Sequence, residues 1–262
     1  MLPTVCIDDL EVTRLILGGN PFSGFSHQSP ERDQEMMDYY TVARLKETLR
    51  KAEAAGINTT VMRSDTHIQR MLREYYNEGG HIQWIAQVGH DSEAFTLEWA
   101  VDQAVANGAV AAFIHGGVVD QFYSERNAKR LAELMDHIHS HNIPAGVAGH
   151  APQAHLWANQ LDADIDFQVV CFYNCGSLHD GKGDIFDQEA PPKACEAIRR
   201  IQRPVLAYKI MGAGRIEPRQ AFQYAFSNIK NTDAVVVGMY LGDNENMIEE
   251  NVQMVTDIIN AG

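Results

Sequence analysis

Cysteine and positive charge are scarce in this chain. Four cysteines stand among 262 residues, at Cys6, Cys171, Cys175 and Cys195, and no two are spaced as CxxC. This pattern excludes a disulfide framework and a cysteine-rich zinc site, so we expect reduced thiols. Lysine and arginine number 21 against 35 acidic residues, a net charge of -14. Because an acidic molecule repels nucleic acid and anionic membranes, we expect neither as a partner and expect a small-molecule substrate instead.

A long hydrophobic run and a secretory signal are also lacking. No apolar segment approaches the roughly 18 residues that a membrane-spanning helix needs. The start, MLPTVCIDDLEVTRL, has neither the basic region nor the apolar region of a secretory signal, so we expect a cytoplasmic protein. With 45% hydrophobic and 21% charged residues, the composition indicates one globular domain over residues 1–262.

Short apolar runs alternate with longer segments of helical spacing. The runs lie at 14–20, 57–65, 82–90, 109–117, 143–150, 166–174, 203–210 and 234–242. Segments such as TVARLKETLRKAEAAG and NMIEENVQMVTDIINAG separate or follow them with helical periodicity. Because parallel strands need crossover helices and eight such units close a sheet, the chain is predicted to be an α/β protein with a (β/α)8 TIM-barrel fold. A doubly wound open sheet is the alternative.

Polar and ionisable side chains follow most of the apolar runs. In (β/α)8 barrels the chemistry lies on the loops after the C-terminal ends of the strands, so these residues are the candidate site. We predict three catalytic residues: His115, His150 and Lys209. The predicted substrate-binding residues are Asn20, Arg63, Gln87, Tyr173, Asn174 and Arg215.

Histidines follow three successive strands, the third, fourth and fifth. Neighbouring strands lie about 4.8 Å apart, so His90, His115 and His150 are predicted to converge on one substrate or one divalent metal ion. No compact motif such as HExxH accompanies them, and a structural role for each, such as helix capping by His90, is the alternative. A further cluster lies at a predicted helix end, where cations suit the helix dipole, and is not assigned to a metal. It consists of His137, His139 and His141.

Lys209 ends an apolar run in the stretch VLAYKIMGAGRIE, at 205–217. A lysine that acts as a base or as a Schiff-base amine must lose its proton near neutral pH, which demands burial or a neighbouring cation such as Arg215. We favour a charged Lys209 that stabilises a substrate oxygen. The glycines of GAGR and of the later VVVGMYLGD lie where barrels bind phosphate through backbone N–H groups, and tight turns without a ligand are the alternative.

Several stretches resemble the aldo-keto reductase superfamily. RLILGGNPFSG resembles its first strand and glycine turn, AGINTT the approach to its second strand, DFQVVCFYN its sixth strand, VLAYKIMGAGR its seventh, and VVVGMYLGDNENMIEENVQMV its last strand and helix. The resemblance implies a TIM barrel that reduces carbonyl groups with NADPH through an Asp, a Tyr, a Lys and a His.

One member of that catalytic set has a counterpart in this sequence, His115. Val61 falls near the position of the Asp with no Tyr closely after it, and Gln87 stands where the Lys is expected. The Ser/Arg-rich cofactor stretch after the eighth strand is not evident either. Without a Tyr–Lys proton donor, hydride transfer lacks its general acid, so a divalent metal is expected before NADP as a cofactor.

These observations predict an enzyme that acts by acid–base chemistry on a small polar carbonyl or carbohydrate-like substrate, phosphorylated or acidic forms included. The predicted class is lyase or isomerase. His115 and His150 exchange protons, while Lys209 and Arg63 hold an oxyanion, a carboxylate or a phosphate. The alternatives are an NADP-dependent aldo-keto-type oxidoreductase with an altered proton donor and a non-catalytic barrel that binds a metabolite. The sequence specifies neither the substrate nor the oligomeric state.

Overall fold

The computed structural model describes residues 2–89, 95–175 and 186–261. The strands are β1 (Thr4–Ile7), β2 (Leu10–Thr13), β3 (Leu15–Gly18), β4 (Thr59–Arg63), β5 (Gln83–Val88), β6 (Ala109–Ile114), β7 (Ala145–Gly149), β8 (Phe167–Cys171), β9 (Val205–Tyr208) and β10 (Ala234–Gly238). The α-helices are α1 (Pro30–Tyr39), α2 (Val42–Ala54), α3 (Thr66–Asn77), α4 (Leu97–Ala106), α5 (Gly116–Glu125), α6 (Ala128–His139), α7 (Pro152–Ala158), α8 (Ala190–Arg200), α9 (Pro218–Asn228) and α10 (Met247–Ala261).

The strands β3 to β10 form a closed barrel. Their order is β10-β3-β4-β5-β6-β7-β8-β9, and every neighbouring pair is parallel. The barrel closes where β10 pairs with β3, with Val235 opposite Leu15. Each of the eight predicted apolar runs contains one of these strands. The predicted (β/α)8 TIM barrel is therefore confirmed, and the doubly wound alternative is wrong because such a sheet leaves two edges open.

Alternation along the strands divides the apolar side chains into two layers. One layer fills the barrel and includes Ile16, Val61, Phe113, Phe167 and Val236. The other lies between the strands and the surrounding helices. Since side chains alternate between the two faces of a strand, the inward residues of a barrel strand fix which residue at its C-terminal end faces the opening.

An antiparallel hairpin of β1 and β2 precedes the barrel. Val5, Ile7 and Val12 of the hairpin belong to the apolar cluster that fills the barrel interior. The turn contains Asp8, whose φ of 50° lies in the left-handed region that Asp tolerates. The hairpin was not predicted, although TVCI and LEVT around two aspartates are typical of one.

Side-chain caps begin several helices. The Thr41 hydroxyl accepts a hydrogen bond from the Arg44 N–H at 3.4 Å before α2, and the Asp65 carboxylate accepts one from the Ile68 N–H at 2.9 Å before α3. Each cap satisfies an N–H group that the first helical turn leaves without a backbone partner. Asp65, which follows the barrel strand β4, therefore caps a helix.

Within the described ranges, none of the helices combines the length and the apolar character that crossing a bilayer requires.

Candidate active site

A pocket of about 430 Å³ opens at the C-terminal ends of the barrel strands. Inward side chains of the barrel, such as Phe113, Val169 and Tyr208, lie at its base. Its rim contains six of the predicted site residues: Asn20, Arg63, Gln87, His115, His150 and Lys209. A volume of this size suits a small molecule rather than a macromolecule.

Asp120 holds His150 in one orientation. His150 follows β7, and Asp120 lies one turn into α5 on the neighbouring strand–helix unit. The Asp120 carboxylate accepts hydrogen bonds from the His150 Nδ1 at 2.8 Å and from its backbone N–H at 3.2 Å. Because a carboxylate only accepts, Nδ1 carries the proton of the neutral ring, and Nε2 is its basic nitrogen.

His115 has the opposite tautomer. It caps α5, and its Nδ1 accepts a hydrogen bond from the Gly117 N–H at 3.2 Å. A neutral ring whose Nδ1 accepts must carry its proton on Nε2. The His115 and His150 rings lie 6.1 Å apart between centroids, nearly perpendicular to each other. The pocket therefore contains one imidazole whose Nε2 can accept a proton and one whose Nε2–H can donate a hydrogen bond.

Lys209 reaches the pocket because the backbone leaves its strand. β9 ends at Tyr208, which faces the barrel interior, so continued alternation would turn Lys209 towards the helices. Lys209 instead has a φ of 57°, in the left-handed region, and lines the pocket. Its Nζ lies 5.7 Å from the centroid of the Tyr208 ring. Burial raises the pKa of Tyr208 well above its ordinary value, so this phenol stays protonated.

His27 also lines the pocket, and the sequence did not indicate it. It lies in the loop that follows the 3₁₀-helix Asn20–Ser23, nine residues after β3, so it is not a strand-end residue. The pKa of His27 is lowered to about 4, mainly by burial of the ring and next by the nearby charge of Lys209. Its Nε2 lies 3.4 Å from the Asn20 amide nitrogen, which donates to the neutral ring. His27 is therefore an uncharged polar group near neutral pH.

Arg63 and Gln87 face the pocket from β4 and β5. The Arg63 guanidinium lies 4.9 Å from the centroid of the Phe25 ring, and its Nε lies 3.6 Å from the Asp65 carboxylate. The contact with the aromatic ring and the nearby carboxylate restrict the orientation of the planar guanidinium. A guanidinium is the group that binds a carboxylate or a phosphate through two parallel hydrogen bonds.

Three predicted substrate-binding residues do not line this pocket. The Tyr173 ring stacks on Phe186, with 5.2 Å between centroids, and the Asn174 carbonyl accepts the Asp187 N–H at 3.2 Å. Arg215 donates to the Gly212 and His27 carbonyls at 3.1 and 3.2 Å. These residues connect the loops around the pocket, so their placement argues for a supporting role.

The predicted metal site is only partly described. His90, its third predicted ligand, lies outside the described residues, and Asp120 occupies the Nδ1 of His150. Among the described residues, no third histidine, cysteine or carboxylate joins His115 and His150 at a distance that would let all three share an ion. Metal binding at this rim stays a prediction.

Known structures show what this barrel resembles. No protein-family model matches the sequence, and the search of curated proteins gives no match. A putative aldo-keto reductase from Pseudomonas aeruginosa matches with a TM-score of 0.66 and 18% identity, over 98% of this chain and 94% of that one. An aldo-keto reductase from Bacillus halodurans, in its holo form, matches with a TM-score of 0.66 and 11% identity, over 97% and 91%. The phospho-2-dehydro-3-deoxyheptonate aldolase of Thermotoga maritima matches with a TM-score of 0.58 and 13% identity, over 99% and 74%.

The barrel of this chain is similar in fold to the barrels of these aldo-keto reductases. The predicted resemblance is thereby confirmed for the fold. In the aldo-keto-reductase-like barrel, Val61 and Gln87 line the pocket where the resemblance places the Asp and the Lys, and His115 lines it as the resemblance implies. Of the four catalytic residues that the resemblance implies, the histidine has its counterpart in the pocket, and beside it lies the Asp120–His150 pair.

Two arginines of the pocket lie next to carboxylates. Three described lysine and arginine side chains line the pocket, Arg32, Arg63 and Lys209. Arg32 already bonds Glu35 and Asp243, and Arg63 faces Asp65. Carboxylates therefore already neutralise part of the positive charge that Arg32 and Arg63 bring to the pocket. Asn251, buried on α10, is a neutral polar group on the far side of the pocket.

Proposed function

We propose that the pocket catalyses proton transfer on a small polar carbonyl or carbohydrate-like substrate, as a lyase or an isomerase. The observation that carries the proposal is the pair of oppositely protonated imidazoles, with the His150 Nδ1 bonded to Asp120 and the His115 Nδ1 bonded to the Gly117 N–H. A base and an acid are both required to move a proton between two positions of one substrate.

The proposed reaction begins at His150. Its Nε2 removes a proton from the carbon beside a substrate carbonyl, and the electron pair of that C–H bond moves onto the carbonyl oxygen. Lys209 stabilises the resulting oxyanion, and the Asp120 carboxylate stabilises the imidazolium. In an isomerase, the reacting carbon carries a hydroxyl whose proton moves to the former carbonyl oxygen, and the His150 imidazolium returns its proton to the former carbonyl carbon. In a lyase, the carbonyl re-forms and a C=C bond forms as the C–O bond of a hydroxyl on the next carbon breaks; the hydroxyl takes the proton from the His150 imidazolium and leaves as water, while the His115 Nε2–H donates a hydrogen bond to it.

The pocket also supports an acidic substrate. Arg63 presents donors at the rim, while His27 is neutral because burial and Lys209 lower its pKa to about 4. A carboxylate or one phosphate at Arg63 would leave the carbonyl to Lys209 and the reacting carbon to the two histidines. Small hydroxy-carbonyl acids and sugar phosphates of a few carbons are therefore the compounds to screen.

The proposal predicts a large effect of Lys209→Met. The protein is incubated with the screened compounds in D2O, and conversion and deuterium incorporation are followed by NMR. Methionine removes the charge on the developing oxyanion at nearly the same volume, so kcat should fall by about 10²- to 10³-fold. Lys129→Met, at a side chain that is 89% exposed on α6, is the matched control and should keep full activity. Equal turnover in Lys209→Met and the parent protein would remove Lys209 from the mechanism.

A nicotinamide-dependent oxidoreductase is the second candidate. The matches to aldo-keto reductases favour it at least as well as the lyase or isomerase class. It requires NADPH binding, which the ion-paired arginines of the pocket oppose. A fluorescence titration distinguishes the two: we expect no saturable NADPH binding below about 1 mM, whereas a dissociation constant in the micromolar range or below would support the oxidoreductase.

A further inference from the structure

Asp102, His137 and His141 form a compact cluster on the outside of the barrel. Asp102 lies on α4, His137 on α6, and His141 two residues beyond the end of α6. The Nε2 atoms of both histidines lie 2.8 Å from the same oxygen of Asp102, Oδ1. The donor atoms of the three side chains lie within 4.8 Å of one another. We propose that this cluster, the α4–α6 cluster, binds a divalent transition-metal ion.

The geometry is close to that of a metal site. A first-row metal ion bonds imidazole nitrogen and carboxylate oxygen at about 2.0 to 2.2 Å, so its ligand atoms lie roughly 3 to 3.5 Å apart. The α4–α6 cluster reaches this spacing when Asp102 moves back by a few tenths of an ångström and the two Nε2 atoms, which lie within 4.8 Å of each other, adjust to the same range. Its side chains can move, since they are 28%, 28% and 47% exposed for His137, His141 and Asp102. The exposure also leaves room for water as a fourth ligand.

The ligand types define the class of ion. Two imidazoles and one carboxylate suit Zn²⁺, Ni²⁺, Co²⁺ or Cu²⁺, whereas Mg²⁺ and Ca²⁺ prefer oxygen ligands throughout. Binding replaces the protons that the two Nε2 atoms share with Asp102, so affinity rises with pH. From the sequence alone, His137 and His141 were interpreted as cations at the end of a helix. The ligand that completes the site, Asp102, lies 35 residues before His137 and on another helix.

The α4–α6 cluster is separate from the pocket. His141 lies four residues before β7 begins, so the cluster is on the side of the barrel where strands start, and the pocket is at their opposite ends. A bound ion would join α4 to α6 and would stabilise the folded protein in proportion to its occupancy. Binding at this cluster therefore has a readout that does not depend on catalysis.

The test uses metal-free protein titrated with Zn²⁺ by calorimetry, in a background in which His115→Gln and His150→Gln remove the two pocket histidines. We expect one ion per chain with a dissociation constant below about 100 µM. Asp102→Asn, His137→Gln and His141→Gln should each weaken binding by at least about tenfold. At a Zn²⁺ concentration near 100 times the dissociation constant, the Tm should rise by about 5 to 10 °C.

His139→Gln is the matched control. His139 lies on the same end of α6, but its Nε2 bonds Asp166 at 2.7 Å and it takes no part in the cluster. Zn²⁺ affinity in this variant should stay within about twofold of the parent. The proposal is overturned if no saturation appears below 100 µM, if the three cluster variants bind as the parent does, or if His139→Gln weakens binding as much as they do.

Discussion

His150→Gln will lower kcat of the proposed reaction by about 10³-fold, because the glutamine amide cannot accept the substrate proton. Asp120→Asn will lower kcat by about 10²-fold with KM little changed. Asparagine presents either an N–H or a weaker acceptor to Nδ1, so it no longer fixes the tautomer in which the His150 Nε2 is basic. Steady-state kinetics on the compound that the wild-type protein converts, measured from pH 5 to 9, check both values.

A helix-matched variant separates chemistry from folding. Glu125 lies on α5 with Asp120, and its carboxylate accepts an exposed hydrogen bond from Gln121. Glu125→Gln should keep kcat within about twofold. Asp120→Glu, which retains a carboxylate, should recover part of the rate that Asp120→Asn loses. If Asp120→Asn changes neither kcat nor its pH dependence, the Asp120–His150 pair has no catalytic role.

Asp233→Ala will destabilise the protein by about 3 to 5 kcal/mol and lower the Tm by about 10 °C. The side chain is 0% exposed at the start of β10. Its carboxylate accepts the Val205 N–H at 2.9 Å and the Lys230 N–H at 2.7 Å, and it lies 2.9 Å from the Lys230 Nζ. Alanine leaves these buried donors without an acceptor at the point where β9 and β10 enter the barrel.

Burial raises the pKa of Asp233 even though Lys230 opposes that shift. Asp233→Asn keeps one acceptor oxygen, so it should lower the free energy of unfolding by less than Asp233→Ala does. Asp164→Ala is the control, since this carboxylate is 81% exposed and should change stability by less than about 0.5 kcal/mol. Urea unfolding measures the change in the free energy of unfolding for each of the three variants. A loss below about 1 kcal/mol for Asp233→Ala would show that the buried carboxylate does not stabilise this junction.

Period-two alternation made much of the site predictable. Val61, Phe113 and Ala148 face the barrel interior, and Arg63, His115 and His150 follow each of them by two residues and line the pocket. Such positions can be read from the sequence once the strands are assigned. The same rule fails for Tyr173, which follows β8 and turns to stack on Phe186.

Other parts of the site depend on contacts that have no local signature. Lys209 breaks the alternation and enters the pocket through its left-handed backbone, which no rule for lysine predicts. Asp120 bonds the pocket residue His150 from a helix, and His27 lines the pocket from a loop. Asp120 follows Gly116, at the start of α5, by four positions, so the two share a helix face beside β7. That spacing is the one signal by which the sequence could have indicated Asp120.

Deuterium exchange without any added nucleotide tests the central claim most directly. Protein free of nicotinamide cofactor is incubated in D2O with the small hydroxy-carbonyl compounds, and NMR records the C–H groups next to each carbonyl. The Asp120–His150 mechanism predicts deuterium at one such carbon with the wild-type protein and none above background with His150→Gln. Carbonyl reduction that needs NADPH, with no exchange in its absence, would contradict it.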